Sequence, residues 1–178
     1  MPQLPSPWRE FLAELDAALP EPVSLHCVGG FVVSIFYGLP RPTGDIDYYT
    51  AIPASLDLQG LAGIGSPLAG KHKVYLQRVA VNNMPEEYER RLKEMFPKQF
   101  KDLRLFAPDP YDLILSKLER NSAKDRDDAA YLFKTLGLTP EDLAERYQKE
   151  LRLNLAVPTR EDLTLELWIE MFEAEAKE

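Results

Sequence analysis

Two aspartates set one residue apart, Asp45 and Asp47, are the side chains in this 178-residue sequence best suited to chemistry. They fall in Asp45-Ile46-Asp47-Tyr48-Tyr49-Thr50, whose β-branched and aromatic content favours a strand. Alternation along a strand turns both carboxylates to one face and Ile46 to the other. Such a pair repels itself unless a divalent cation neutralises it, and oxygen ligands of this kind suit Mg²⁺ or Mn²⁺ shared with substrate phosphates. Upstream, Gly29-Gly30 stands where a β-type run, residues 24–28, gives way to an apolar segment, residues 31–37. A glycine pair at a strand-to-helix turn lets backbone N–H groups and the helix dipole approach a phosphate. Either feature alone is commonplace: a tight turn, or two solvated carboxylates. Together, in this order, they describe a place for a metal-bound nucleoside triphosphate.

The surrounding elements must bring these pieces together. Ser6-Pro7 reads as a helix N-cap followed by proline at the first helical position, and Trp8, Phe11, Leu12, Leu15 and Leu19 recur at helical spacing up to Pro20. Gly38 suits the C-cap of the apolar segment, and Arg41-Pro42-Thr43-Gly44 connects it to the aspartates. Residues 51–73, rich in Gly, Ala, Pro and Leu, read as one or two short helices with loops. Residues 74–81 alternate as a third strand, residues 85–96 read as an amphipathic charged helix, and residues 103–106 as a fourth strand. Asp109-Pro110 opens a helix carrying Leu113, Ile114, Leu115 and Leu118; another spans about residues 123–136 and ends at Gly137. Thr139-Pro140-Glu141-Asp142 and Thr159-Arg160-Glu161-Asp162 read as capping boxes for two more. The expected architecture is α/β: a small mixed sheet flanked by helices over residues 1–108, with a helical portion over residues 109–178 packed on that core.

Composition narrows the function classes. With 45% apolar and 28% charged residues, the chain has the make-up of a globular domain. No apolar run approaches the roughly 20 residues that span a bilayer, and the start lacks a basic stretch followed by an apolar one, so a cytoplasmic protein is expected. Cys27 has no cysteine to pair with, and with His26 and His72 it offers too few soft ligands for structural zinc. Neighbours on a strand face opposite sides, so Cys27 and His26 make a poor nucleophilic dyad. The net charge of −8 argues against general nucleic-acid coating, yet residues 71–104 carry nine basic and five acidic side chains. That segment, with Arg90, Arg91 and Lys93 in it, is the part suited to RNA, although Glu86, Glu87, Glu89 and Glu94 fit a solvated helix face equally well.

The order Gly29-Gly30, apolar helix, Gly38, Arg41, Thr43, Asp45-Ile46-Asp47 resembles the signature of the DNA polymerase β-like nucleotidyltransferase superfamily. It is most similar to AbiEii-type nucleotidyltransferases, which include toxins of type IV toxin-antitoxin systems, and to related uncharacterised bacterial proteins. A later helical pair of that family carries a lysine and an Arg-Asp motif, which Lys117 and Arg126-Asp127 resemble; the likeness covers roughly residues 24–137. The resemblance implies transfer of a nucleoside monophosphate to an acceptor hydroxyl on RNA, tRNA or protein, and a separate antitoxin as a partner. It implies metal ligation by Asp45 and Asp47, nucleotide binding by Gly29, Gly30, Arg41, Thr43 and Arg126, and catalytic roles for Lys117 and Asp127 beside the aspartates. Pairing at i, i+3 and i+4 is ordinary on charged helices, so Lys117, Arg126 and Asp127 also admit a purely structural reading. Many relatives have a third carboxylate on a later strand. The equivalent here, Arg78-Val79-Ala80-Val81-Asn82-Asn83, has none, and Asp102 is the nearest substitute. Either Asp127 takes over that role, as the AbiEii-type resemblance implies, or the general base is missing, and the alternative reading is then a noncatalytic nucleotide-binding or protein-interaction module.

Overall fold

The computed structural model describes residues 3–80 and 83–177. The chain divides into two compact units, Met1–Ala80 with Leu92–Ala107 and Val81–Arg91 with Pro108–Glu178. Among the described residues, no helix is long and apolar enough to cross a membrane.

The first unit is built on a five-stranded mixed sheet. Its strands are β1 (Val23–Val28), β2 (Asp45–Ile52), β3 (Tyr75–Arg78), β4 (Lys93–Met95) and β5 (Leu103–Ala107), in the order β3-β2-β1-β5-β4. β1 pairs antiparallel with β2 and parallel with β5; β2 pairs parallel with β3, and β4 antiparallel with β5. Helices α1 (Trp8–Ala18), α2 (Gly29–Phe31, continued by a π-helical turn Val32–Phe36), α3 (Leu58–Ala62) and α4 (Pro67–His72) flank it. The apolar spacing of α1 buries Trp8, Phe11, Leu12 and Leu15, and Trp8 meets Phe31 edge-on with ring centroids 4.9 Å apart. Burial of each such side chain contributes about 1.5–3 kcal/mol. α1 is also tied to the sheet by Asp16, whose carboxylate accepts the backbone N–H groups of Lys101, Asp102 and Leu103 at 2.7–3.0 Å.

The second unit is helical: α5 (Pro110–Leu115), α6 (Ala123–Thr135), α7 (Pro140–Arg146) and α8 (Pro158–Glu175). α6 starts at a complete capping box in which the Ser122 hydroxyl accepts from Asp125 N–H and the Asp125 carboxylate accepts from Ser122 N–H. Phe133 of α6 stacks on Phe172 of α8 at 4.6 Å. The expected architecture, a small mixed sheet flanked by helices and followed by a helical C-terminal portion, is the one observed.

Several local expectations need correction. Residues 85–96 do not form a charged helix: a 3₁₀ turn at Tyr88–Arg91 is followed by β4. Arg91 is drawn into ion pairs with Asp112 and Glu150, and Met95, 2% exposed, pairs with Leu105 of β5, so tertiary partners override the helical periodicity. Ser6 does not cap α1, because its hydroxyl donates to the Glu10 carboxylate and Pro7 takes the cap position. α8 begins at Pro158 behind Val157 with no side-chain cap, and Asp162 instead accepts from the Tyr147 hydroxyl and Arg152. The third strand closes at Arg78; Val81, assigned to it from sequence, lies outside the described residues, as does Asn82 of the stretch compared with the third-carboxylate strand.

Candidate active site

The sheet unit assembles the glycine pair and the carboxylate pair. Along β2 the burial alternates: Ile46 and Tyr48 are buried, Asp45 and Asp47 half-buried. Between His26 and Cys27 the β1–β2 register shifts, so that His26 pairs with Thr50 but Cys27 with Tyr48. The bulge absorbs Tyr49, brings Val28 opposite Asp47, and delivers the end of β1 to the aspartates.

Gly29 follows at once, with φ +73°, a conformation that L side chains rarely adopt. A Cβ on Gly29 would collide with the Asp47 carboxylate and lie 3.2 Å from Asp47 Cβ and Cγ. Glycine is thus required there twice, by its backbone angle and by the carboxylate packed against it. Gly30 is buried in the first turn of α2. At the other end of the connection, the Thr43 hydroxyl donates to the Asp45 backbone carbonyl at 3.3 Å and lies 3.5 Å from its carboxylate oxygen Oδ1, which orients the first residue of β2. Arg41 lies half-buried on the same connection.

Two observations narrow the donor set. β3 supplies β2 with Tyr75 opposite Asp45 and Gln77 opposite Asp47, neither of them acidic. Asp102 does not substitute. Its carbonyl accepts from Val23 N–H, so it stands at the start of β1 and β5, the opposite end of the sheet from Gly29. Among the described residues no group of three or more His, Cys, Asp and Glu is disposed to hold a metal. The two carboxylates can still share one cation with phosphate oxygens, and the close approach at Gly29 leaves backbone rather than side chain beside them. Cys27 is fully buried, and burial pushes its thiol well above the ordinary range, which fits a core residue and not a nucleophile.

Lys117, Arg126 and Asp127 belong to the helical unit. Lys117 is 5% exposed, and its ammonium lies 3.0 Å from Asp128 and 3.5 Å from Asp125. Asp125 also accepts from Arg120 Nε at 2.7 Å and from the Ser122 hydroxyl. Burial works to raise the Asp125 pKa, but these donors and Lys117 hold it well below the ordinary carboxylate range. Arg126 turns back to donate to the Asn121 carbonyl at 2.7 Å, and Asp127 is exposed. The acids that meet Lys117 are Asp125 and Asp128, three residues apart on one helix face, while Asp127, to which the resemblance gave a catalytic role, is exposed. The i, i+3 spacing of Asp125 and Asp128 was the signal available. Gln77 and Tyr75 were also missed, since strand register is not written in local sequence.

A family model described as a nucleotidyltransferase of unknown function (DUF6036) matches residues 9–136, more than half of the chain. No curated protein and no solved structure matches it. The matched region spans the sheet, the glycine turn and the carboxylate pair, and on this match the chain belongs to that family of nucleotidyltransferases.

Proposed function

We propose that this protein is a Mg²⁺-dependent nucleotidyltransferase that moves a nucleoside monophosphate from a nucleoside triphosphate to an acceptor hydroxyl, releasing pyrophosphate. The observation that carries this reading is the packing of Gly29 against Asp47, with Asp45 beside it on the same strand face. In the proposed reaction the acceptor hydroxyl gives up its proton to solvent, its oxygen bonds to the α-phosphorus, the bond from that phosphorus to the bridging oxygen breaks, and pyrophosphate departs. Asp45 and Asp47 would hold the cation, with Thr43 fixing Asp45 and the backbone of Gly29 and Gly30 passing close to the phosphates. A bound divalent cation supplies neutralisation of the charge that gathers on the departing pyrophosphate. The AbiEii-type likeness favours RNA, with a tRNA end as one such acceptor, and a toxin role with a separate antitoxin. Lys73, Arg78, Lys93, Lys98 and Arg104 of the sheet unit are exposed and available to phosphates, whereas Arg91 is committed to Asp112 and Glu150.

The test is pyrophosphate release from each ribonucleoside triphosphate across a panel of RNA, protein and small hydroxyl acceptors. Wild type is expected to turn over with at least one acceptor and the Asp45→Asn, Asp47→Asn variant to lose turnover by at least 10²-fold, the scale set by removing a principal charge-stabilising group. Retained turnover in that variant contradicts the mechanism. A second reading, a nucleotide-binding module without turnover, is favoured by the neutral residues flanking Asp47; nucleotide binding with no pyrophosphate release across the whole panel would select it.

A further inference from the structure

We infer that Gln77 stands where a third strand carboxylate would act, and that the Asp45–Asp47 pair holds a single divalent cation per chain. This rests on the nucleotidyl-transfer reading above.

β2 has two neighbours in the sheet, and register fixes what each presents to Asp47: Val28 from β1 and Gln77 from β3. Side chains opposed on neighbouring strands share a face and stand about 5 Å apart, so these are the two positions nearest to Asp47 for a strand carboxylate that would share its cation, and the diagonal positions beside Gln77, Tyr75 and Val79, are not acidic either. Position 28 is an apolar residue, 6% exposed, followed by the glycine that the Asp47 carboxylate requires. Position 77 is an exposed, neutral amide. Tyr75, opposite Asp45, is not a carboxylate either. Two divalent cations held close together repel each other and need protein oxygens between and around them besides those of the triphosphate, and among the described residues no third acid joins this pair to supply them. The cation retained is the one that also binds the triphosphate, since phosphate oxygens complete its shell. No strand carboxylate is then left to activate the acceptor hydroxyl.

The experiment counts Mn²⁺, in place of Mg²⁺, on the full chain with a non-hydrolysable triphosphate analogue, by equilibrium dialysis and electron paramagnetic resonance. Wild type is expected to bind one Mn²⁺ per bound nucleotide with the spectrum of an isolated ion. Gln77→Glu, isosteric and at an exposed position, is expected to bind a second and show an exchange-coupled pair. Gln77→Ala is expected to keep one. Two ions on wild type, a Gln77→Glu variant that stays at one, or a Gln77→Ala variant that binds none would each overturn the inference and leave the nucleotidyl-transfer reading standing. No Mn²⁺ on wild type, with or without the analogue, would overturn both.

Discussion

At Gly29 a backbone angle and a carboxylate make the same demand. The positive φ disfavours any L side chain by roughly 1–2 kcal/mol, and the Asp47 carboxylate occupies the volume where a Cβ would go. Gly29→Ala is therefore expected to lower stability by at least about 1–2 kcal/mol in denaturant unfolding and to displace Asp47, so that metal-dependent nucleotide binding falls further than stability does. Unchanged stability and binding would show that the close approach carries no weight. At this scale the sequence was informative where chemistry depends on spacing along the chain. Asp45-Ile46-Asp47 alternates on any strand, and Gly29-Gly30 marks a turn whatever surrounds it. It was uninformative where chemistry depends on phase. Asp125, Asp127 and Asp128 crowd one helical turn, and which of them meets Lys117 follows from the rotation of α6 against the turn after α5, a tertiary quantity.

Among the elements, α1 shows how local pattern and long-range fastening combine. Its apolar spacing announces the helix, but what joins it to β5 is Asp16, which no motif singles out. Burial works to raise the Asp16 pKa, and the three backbone N–H donors overcome this and hold it below its ordinary value. A carboxylate depressed in the folded chain contributes stability in full above its unfolded pKa, about 3.9, and loses it as the pH falls through the folded value. Asp16→Ala is accordingly expected to cost on the order of 1.5–3 kcal/mol at neutral pH, with the gap from wild type closing as the pH drops below about 4. Thermal unfolding of both chains across that range checks it, and a gap that is constant with pH would remove the charge from the explanation. β4 is the opposite case. Lys93-Glu94-Met95 carries no strand preference and becomes a strand because the edge of β5 offers partners, so helical periodicity across residues 85–96 misled.

For the whole molecule, the order of motifs carried more than any single element did. A strand, a glycine turn, an apolar helix and a carboxylate strand define an α/β nucleotidyltransferase core, which the sheet topology and the family match bear out. Register decided what order could not: the bulge at His26 and Cys27 sets Val28 against Asp47, and β3 sets Gln77 there. The most direct measurement is thermal unfolding of wild type and the Asp45→Asn, Asp47→Asn variant, each with and without Mg²⁺ and each ribonucleoside triphosphate. With ligand about 100-fold above its dissociation constant, binding adds roughly 2.7 kcal/mol, a rise of about 5 to 10 °C for a chain of this size. The expected result is a Mg²⁺-dependent rise with at least one triphosphate in wild type and none in the variant. No rise with any triphosphate, or an equal rise in both proteins, would contradict the assignment of the nucleotide to Gly29, Asp45 and Asp47.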